Sequence, residues 1–273
     1  MYHFAATLDA IGFMEAGDST HVPLGNNHKD FIDLLSCNTG DKMVQETGND
    51  FYGEMYGFVK RHRAINNEFI DRFAKGDISV SEFRRFSQEF YHFTREWVSI
   101  LSVLLVNTPD ENDAKNLTTI LVSELGDMDP TKRHELLYRR YLRSIGMEPK
   151  EIMTRKQVPT TKAWLDGMRK YFASDHFEAL GAEFGLENMA IPMWDKILAG
   201  FKVWREKHPE YAGMDIEYFT FHRELEEHHE EAMEDVLGAH KDDTVAQKKF
   251  RIGADGILKL EERFWNGLGD KNN

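Results

Sequence analysis

The stretch that decides the fold is residues 219–233, FTFHRELEEHHEEAM, which combines a helical apolar period with side chains that bind metals. Offsets of four and seven residues put His222, Glu226 and His229 on one face of a helix, in line with the apolar Phe219. A solvated, charged face would explain the other acidic residues of this stretch, but it would not explain three such residues in line with apolar ones. We therefore predict a helix whose inner face carries His222, Glu226 and His229.

Helical periodicity continues on both sides of this stretch. No alternating strand pattern, internal repeat or low-complexity linker interrupts it, so the sequence predicts an all-α fold. Ser79 and Glu82 form a capping-box pattern at the start of the second helix, and Pro192 is expected to kink a later one. The predicted helices span 51–73, 79 to just before Pro109, 111–126, 131–146, 160–173, 175–205, 214–239 and 242–267.

The length and composition suit one globular domain. We predict a single domain over residues 1–273, with residues 1–50 as an irregular N-terminal extension packed on it. The chain is 41% hydrophobic and 30% charged, and its net charge of −13 argues against nucleic-acid binding. Cys37 is the only cysteine, which excludes an intramolecular disulfide. Without a signal-peptide pattern or an apolar run long enough to span a bilayer, we expect a cytoplasmic protein that does not bind membranes.

Three further ligand-type residues fall on or beside the apolar stripes of other predicted helices. Glu124 ends the stripe of its helix, and His134 begins the stripe of the next one. Glu187 lies between large apolar residues, whereas its neighbour Glu183 lies off that stripe. Each has a structural alternative: Glu124 could turn to water in a last helical turn, His134 could be a first-turn polar residue or a satisfied core histidine, and Glu187 could be paired within the core.

Taken together, these residues point to a metal centre. They supply three carboxylates and three imidazoles on the inner faces of four helices, which is enough for two metal ions with open positions. Imidazole and carboxylate ligands without thiolate suit iron or manganese. Zinc is compatible with the ligand types, but its usual four-coordination would leave ligands over.

The same residues resemble the haem-oxygenase-like di-iron oxidases and oxygenases. That family has a Glu, a His about ten residues later, a Glu on a following helix, and then His-x₃-Asp-x₂-His. The similarity covers roughly residues 80–240, and one departure is Glu226 at the position of the family's Asp, where a longer stem changes reach and denticity. The resemblance implies a bundle of about seven core helices without haem, two Fe(II) ions, O₂ as co-substrate, and six metal ligands: Glu124, His134, Glu187, His222, Glu226 and His229.

The resemblance also implies a function. We expect an oxidoreductase that acts on an amino acid or amino-acid-like carboxylate in a specialised biosynthetic pathway, by desaturation, oxidative C–C cleavage or N-oxygenation. No catalytic residue beyond the metal ligands is predicted, and an external electron donor and a homodimer are expected at family level. The alternatives are a fatty-acid olefin-forming oxidative decarboxylase of the same fold, a metal-free acid–base enzyme, and an iron-sequestering protein.

Residues that bind the substrate are not apparent from the sequence. The aromatic residues of the second helix are expected to be ordinary core rather than a pocket lining: Phe86, Phe90, Phe93 and Trp97. A substrate carboxylate would need a cation, for which Arg95, Lys162 and Arg169 are the candidates.

Overall fold

The computed structural model describes residues 51–269, and this part of the chain contains ten α-helices and no strand. The prediction of an all-α fold is confirmed. The predicted extension over residues 1–50 lies outside the described residues. The helices are α1 Phe51–Arg61, α2 Glu68–Ala74, α3 Val80–Val106, α4 Glu111–Glu124, α5 His134–Ser144, α6 Pro149–Thr154, α7 Pro159–Phe172, α8 His176–Lys207, α9 Glu217–Ala239 and α10 Thr244–Asn266.

Side-chain caps fix the starts of the longest helices. At α3, the Ser79 side chain accepts from the Glu82 backbone N–H, and the Glu82 carboxylate accepts from Ser79 N at 2.8 Å, which confirms the predicted capping box. Asp110, Asp175 and Asp243 cap α4, α8 and α10 in the same way, each accepting a backbone N–H of the first turn. These caps satisfy amide groups that have no partner inside the helix.

One predicted helix is wrong in its extent. The segment 51–73 is two helices, because α1 ends at Arg61 and α2 begins at Glu68. Asn67 has an extended backbone, and its side chain accepts from Ile70 N at 2.9 Å, so it caps a new helix rather than continuing the old one.

Helix α8 is the centre of the described bundle. It packs against α1, α2, α7, α9 and α10, and every residue from 179 to 190 is buried. Gly181 and Gly253 allow α8 and α10 to approach closely: a Cβ on Gly253 would lie 1.9 Å from the Glu178 carbonyl oxygen, and one on Gly181 would lie 2.2 Å from Phe250 O. Only a residue without a side chain fits at these two contacts.

Helix α9 contacts α4, α5 and α8, so the four helices that carry the predicted ligands meet. Phe219 anchors α9, with its ring centroid 4.6 Å from that of Phe201 on α8 and 4.9 Å from that of Tyr141 on α5. It is fully buried, which contributes roughly 1.5–3 kcal/mol relative to an exposed ring. Among residues 51–269, no helix has the length and apolar character needed to cross a bilayer.

Candidate metal centre

The first group of predicted ligands joins the end of α4, the start of α5 and the middle of α9. His134 Nδ1 lies 2.5 Å from Glu124 Oε2, and His222 Nε2 lies 3.6 Å from Glu124 Oε1. The two imidazole rings are 4.0 Å apart at their centroids, and all three side chains are buried. One potential ligand atom from each lies within 4.8 Å of the others, which is close enough to share a metal ion.

A tight turn produces the ten-residue spacing between Glu124 and His134. Gly126 has φ of 89° and Asp127 has φ of 50°, both in the left-handed region that reverses the chain after a helix. A Cβ on Gly126 would lie 2.5 Å from the Asp129 carbonyl oxygen. The turn therefore needs glycine here, and it returns the chain so that the first residue of α5 faces the last residue of α4.

The second group joins α8 and α9. His229 Nδ1 lies 3.1 Å from Glu187 Oε2 and 3.6 Å from Glu226 Oε2, and all three residues are buried. On its other side, the His229 ring places Nε2 3.1 Å from Ser123 Oγ, next to Glu124. Trp194 Nε1 donates to Glu226 Oε1 at 3.0 Å, which leaves Oε2 facing His229. The structure thus brings all six predicted side chains into two adjoining buried groups.

In the first group, the electrostatics of the metal-free protein favour an ionised Glu124. Burial alone would raise the pKa of Glu124, but His134 and His222 outweigh it and hold that pKa well below its usual range. The pKa of His222 is lowered by burial and by the nearby His134. A neutral imidazole beside a carboxylate is the form that binds a metal.

The second group balances its charge differently. Burial and the adjacent Glu187 raise the pKa of Glu226. Burial would lower the pKa of His229, but Glu187 and Glu226 raise it well above its usual range. Among the described residues, Glu187 and Glu226 both form their ion pairs with the His229 imidazole. A divalent cation that bound to this group would therefore displace protons from it.

Glu183 is the residue that the sequence analysis missed. It was placed off the buried stripe of its helix, and that interpretation is wrong, because Glu183 is fully buried close to Glu187, four residues later. Burial and then the Glu187 charge raise the pKa of Glu183 well above its usual range. Its protonated carboxyl can donate a hydrogen bond beside the second group. The sequence did contain a signal, because residues four apart, such as Glu183 and Glu187, lie on the same face of a helix.

The donor set fits iron. Each group offers three ligand atoms, with one carboxylate and two imidazoles in the first, and two carboxylates and one imidazole in the second. Glu226 Oε2 and His134 Nε2 are buried polar atoms without a hydrogen-bond partner among residues 51–269. Mixed imidazole and carboxylate ligands without thiolate suit iron.

A third cluster, formed by Asp113, His176 and His240, lies at the opposite end of α4. Asp113 Oδ2 is 3.2 Å from His176 Nε2 and 2.9 Å from His240 Nε2. Eleven residues of helix separate Asp113 from Glu124, about 16 Å. This buried carboxylate ties the start of α8 and the end of α9 to α4, which is a sufficient structural role.

A narrow cavity of about 50 Å³ extends from the two ligand groups into the bundle. Four predicted ligands line one part of it: Glu124, Glu187, His222 and Glu226. Aromatic rings make up much of the rest: Phe90, Phe93, Trp97, Trp164 and Trp194. One further carboxyl, Glu261 of α10, also lines it.

Two expectations about substrate-binding residues change. Phe90, Phe93 and Trp97 pack in or against the core as expected and in addition line the cavity, whereas Phe86 lies in the core alone. None of the candidate cations lines it, since Arg95 reaches Met153, Lys162 pairs with Asp166, and Arg169 pairs with Glu96.

Comparisons with known proteins agree with this architecture. A 4-chloro-allylglycine synthase from Streptantibioticus cattleyicolor is 23% identical over 220 residues, which cover 80% of this chain and 82% of that protein. A CADD-like protein from Nostoc punctiforme superposes with a TM-score of 0.67 at 16% identity, covering 80% of this chain and 95% of that one. A domain with a haem-oxygenase-like fold from Shewanella denitrificans superposes with a TM-score of 0.61 at 16% identity, covering 80% and 89%.

The structural matches establish the fold alone, because their sequences are too distant to carry function. The family is identified by sequence. A family model described as an iron-containing redox enzyme matches residues 84–262, more than half of the chain. The fold and family predictions are therefore confirmed, and this chain belongs to the family of iron-containing redox enzymes with a haem-oxygenase-like fold.

Proposed function

We propose that this protein is a non-haem di-iron oxidase that uses O₂ to oxidise a small amino-acid-like substrate. The observation that carries the proposal is the pair of adjoining buried groups of His and Glu at one cavity. Glu124, His134 and His222 would hold one Fe(II) ion, and Glu187, Glu226 and His229 the other. When bound, the iron would supply a site for O₂ and electrons that reduce the O₂ which oxidises the substrate.

The chain's own contacts orient these side chains. His222 Nδ1 lies 3.2 Å from the Tyr218 carbonyl oxygen and donates to it, which leaves Nε2 free for a metal. His229 can donate from Nε2 to Ser123 Oγ, which directs Nδ1 to the second group. The Trp194 indole holds one oxygen of Glu226. Such outer contacts fix the tautomer and ring orientation of ligating residues.

The cavity supports a small substrate. Aromatic side chains form much of its wall, and its small volume of about 50 Å³ suits a short molecule better than a long acyl chain. The similarity to a 4-chloro-allylglycine synthase, whose name gives an amino-acid product, favours an amino acid over a fatty acid. Desaturation, oxidative C–C cleavage and N-oxygenation all suit this class, with an external donor returning the iron to Fe(II).

Anaerobic titration with Fe(II) tests the proposal directly. We expect two ferrous ions to bind per chain, and exposure to O₂ should then give a transient absorbance change that amino-acid substrates accelerate. Binding of no iron, or no O₂-dependent signal after loading, would contradict it. Rapid iron oxidation and retention whatever small molecule is added would instead indicate an iron-sequestering protein.

A matched pair of variants tests the ligand assignment. His229→Ala removes a buried ligand, and His228→Ala removes the adjacent imidazole, whose side chain is 73% exposed. We expect His229→Ala to bind one iron less per chain and His228→Ala to bind the same amount as the wild type. Unchanged iron content in His229→Ala would refute this ligand set.

A further inference from the structure

Glu261 is a buried carboxyl that the proposed iron ligands do not include. It lies on α10, is 0% exposed, and lines the same cavity as Glu187 and Glu226. Neither of its carboxyl oxygens has a hydrogen-bond partner among residues 51–269. Burying a carboxylate without a partner is costly, so an unpaired acid that faces a cavity calls for a ligand that would pair with it.

Aromatic rings surround this carboxyl and connect it to the ligand groups. The indole N–H groups of Trp164 and Trp265 act on Glu261 and favour its ionised form, although neither reaches hydrogen-bonding geometry. Phe90 lies between the two regions, with its ring centroid 6.0 Å from that of Trp164 and 5.7 Å from that of Trp194. Trp194 in turn lies 5.4 Å from the His222 ring. The cavity therefore reaches from the ligand groups, past Phe90, to Glu261.

The charges along the cavity select for a cation. Its lining includes four carboxyl groups but no lysine or arginine from the described part of the chain. Two divalent ions would be held by the three ligand carboxylates, and Glu261 would remain as the one lining carboxyl of the described chain that binds no metal.

We propose that Glu261 binds the protonated amino group of the substrate and so holds its reacting carbon towards Glu187 and Glu226. The substrate class is a small aliphatic amine, which includes amino acids. The placement of the reacting carbon near Glu187 and Glu226 rests on the proposed function, but the binding of the ammonium group by Glu261 does not. Burial raises the pKa of Glu261 to about 8, against the weaker opposing effect of Trp265 and Trp164, so a bound cation would also ionise this acid.

Calorimetric binding of n-pentylamine and pentan-1-ol tests the proposal without iron. The two molecules have the same chain, and only the amine is charged at neutral pH. We expect the wild type to bind the amine about tenfold or more tightly than the alcohol, as expected for a charged hydrogen bond in a dry site. Equal affinities would overturn the proposal, and this comparison needs no variant.

Two variants locate the cation. Glu261→Gln keeps the shape of the side chain and should lose about tenfold or more in amine affinity, with little change for the alcohol. Glu262→Gln removes the same charge one residue later, where the side chain pairs with Arg63 at 2.9 Å, and should bind both molecules as the wild type does. Undiminished amine binding by Glu261→Gln would overturn the proposal.

Repeating the titration after saturation with Mn²⁺ separates this proposal from the iron chemistry. Amine affinity that depends on Glu261 both with and without Mn²⁺ supports it, whatever the outcome of the iron titration. Amine affinity that Mn²⁺ abolishes and Glu261→Gln does not change would place the cation at the ligand carboxylates, and would overturn the proposal while leaving the di-iron function untouched.

Discussion

The buried acid Glu261 makes the stability of the metal-free protein depend on pH in a way that one substitution should remove. Burial raises the pKa of Glu261 from 4.5 to about 8, while Trp265 and Trp164 oppose the rise, so the folded state binds its proton more tightly than the unfolded chain. The contribution of Glu261 to the free energy of unfolding is therefore fully present below about pH 4.5. It is lost progressively as the pH rises from there through about 8. Glu261→Gln, which cannot ionise, should not show this loss.

The magnitude follows from the same two values. The rise from 4.5 to about 8, at about 1.4 kcal/mol per pH unit, sets an upper bound of about 5 kcal/mol. Between about pH 5 and about pH 9, the free energy of unfolding of the wild type should fall by about 4 kcal/mol relative to that of Glu261→Gln. All other titrating groups are common to both proteins, so the difference isolates this carboxyl.

Urea denaturation of the wild type, Glu261→Gln and Glu262→Gln across this pH range measures the effect. The Glu262→Gln profile should run parallel to that of the wild type, because Glu262 is a partly exposed residue paired with Arg63. Addition of n-pentylamine should reduce the loss in the wild type, since a bound cation compensates the ionised carboxyl. Parallel profiles for the wild type and Glu261→Gln would refute the reasoning, because they would mean that Glu261 ionises in the folded protein as it does in the unfolded chain.

Four further substitutions test the close contacts of the fold and site. Glu226→Asp should weaken binding of the second iron in a ferrous titration, because the shorter side chain cannot keep both the Trp194 hydrogen bond and its place beside His229; unchanged affinity would contradict this. Gly253→Ala should lower the free energy of unfolding by about 1–3 kcal/mol, because its Cβ would meet a backbone oxygen of α8. Gly238→Ala, with open space around its Cβ, should instead be neutral or up to about 1 kcal/mol stabilising, and equal effects of the two alanines would count against the packing argument. Gly126→Ala should destabilise the protein and reduce iron binding to the first group, measured by unfolding and by iron content, since the turn before His134 needs a positive φ.

Local sequence predicted much of the helical architecture correctly. The caps at Ser79 and Glu82 and the apolar period around Phe219 depend on neighbours within one or two helical turns, so they can be read without knowing the fold. The α1–α2 boundary was missed because Asn67 acts as a cap only when its backbone is extended, which periodicity does not reveal.

Periodicity was most informative on α9 and least informative on α8. Helix α9 has one buried and one solvated face, so His222, Glu226 and His229 stand out against exposed neighbours such as His228. Helix α8 is buried on all sides from residue 179 to 190, so no position there is off the stripe. That is why Glu183 was misplaced.

By itself, the sequence determined most of the helices, the capping box at Ser79 and Glu82, and six ligand-type residues on the inner faces of four helices, because helix geometry relates residues that are close in the chain. Only the tertiary structure decided how those residues divide into two groups, that Glu183 lies beside Glu187, and that Glu261 shares their cavity. These outcomes depend on which helices pack together and how closely they approach, as the α8–α10 contact at Gly253 shows. Contacts between residues far apart in the chain produce no periodic pattern in the sequence. They can therefore be identified only from the packing of the helices around α8.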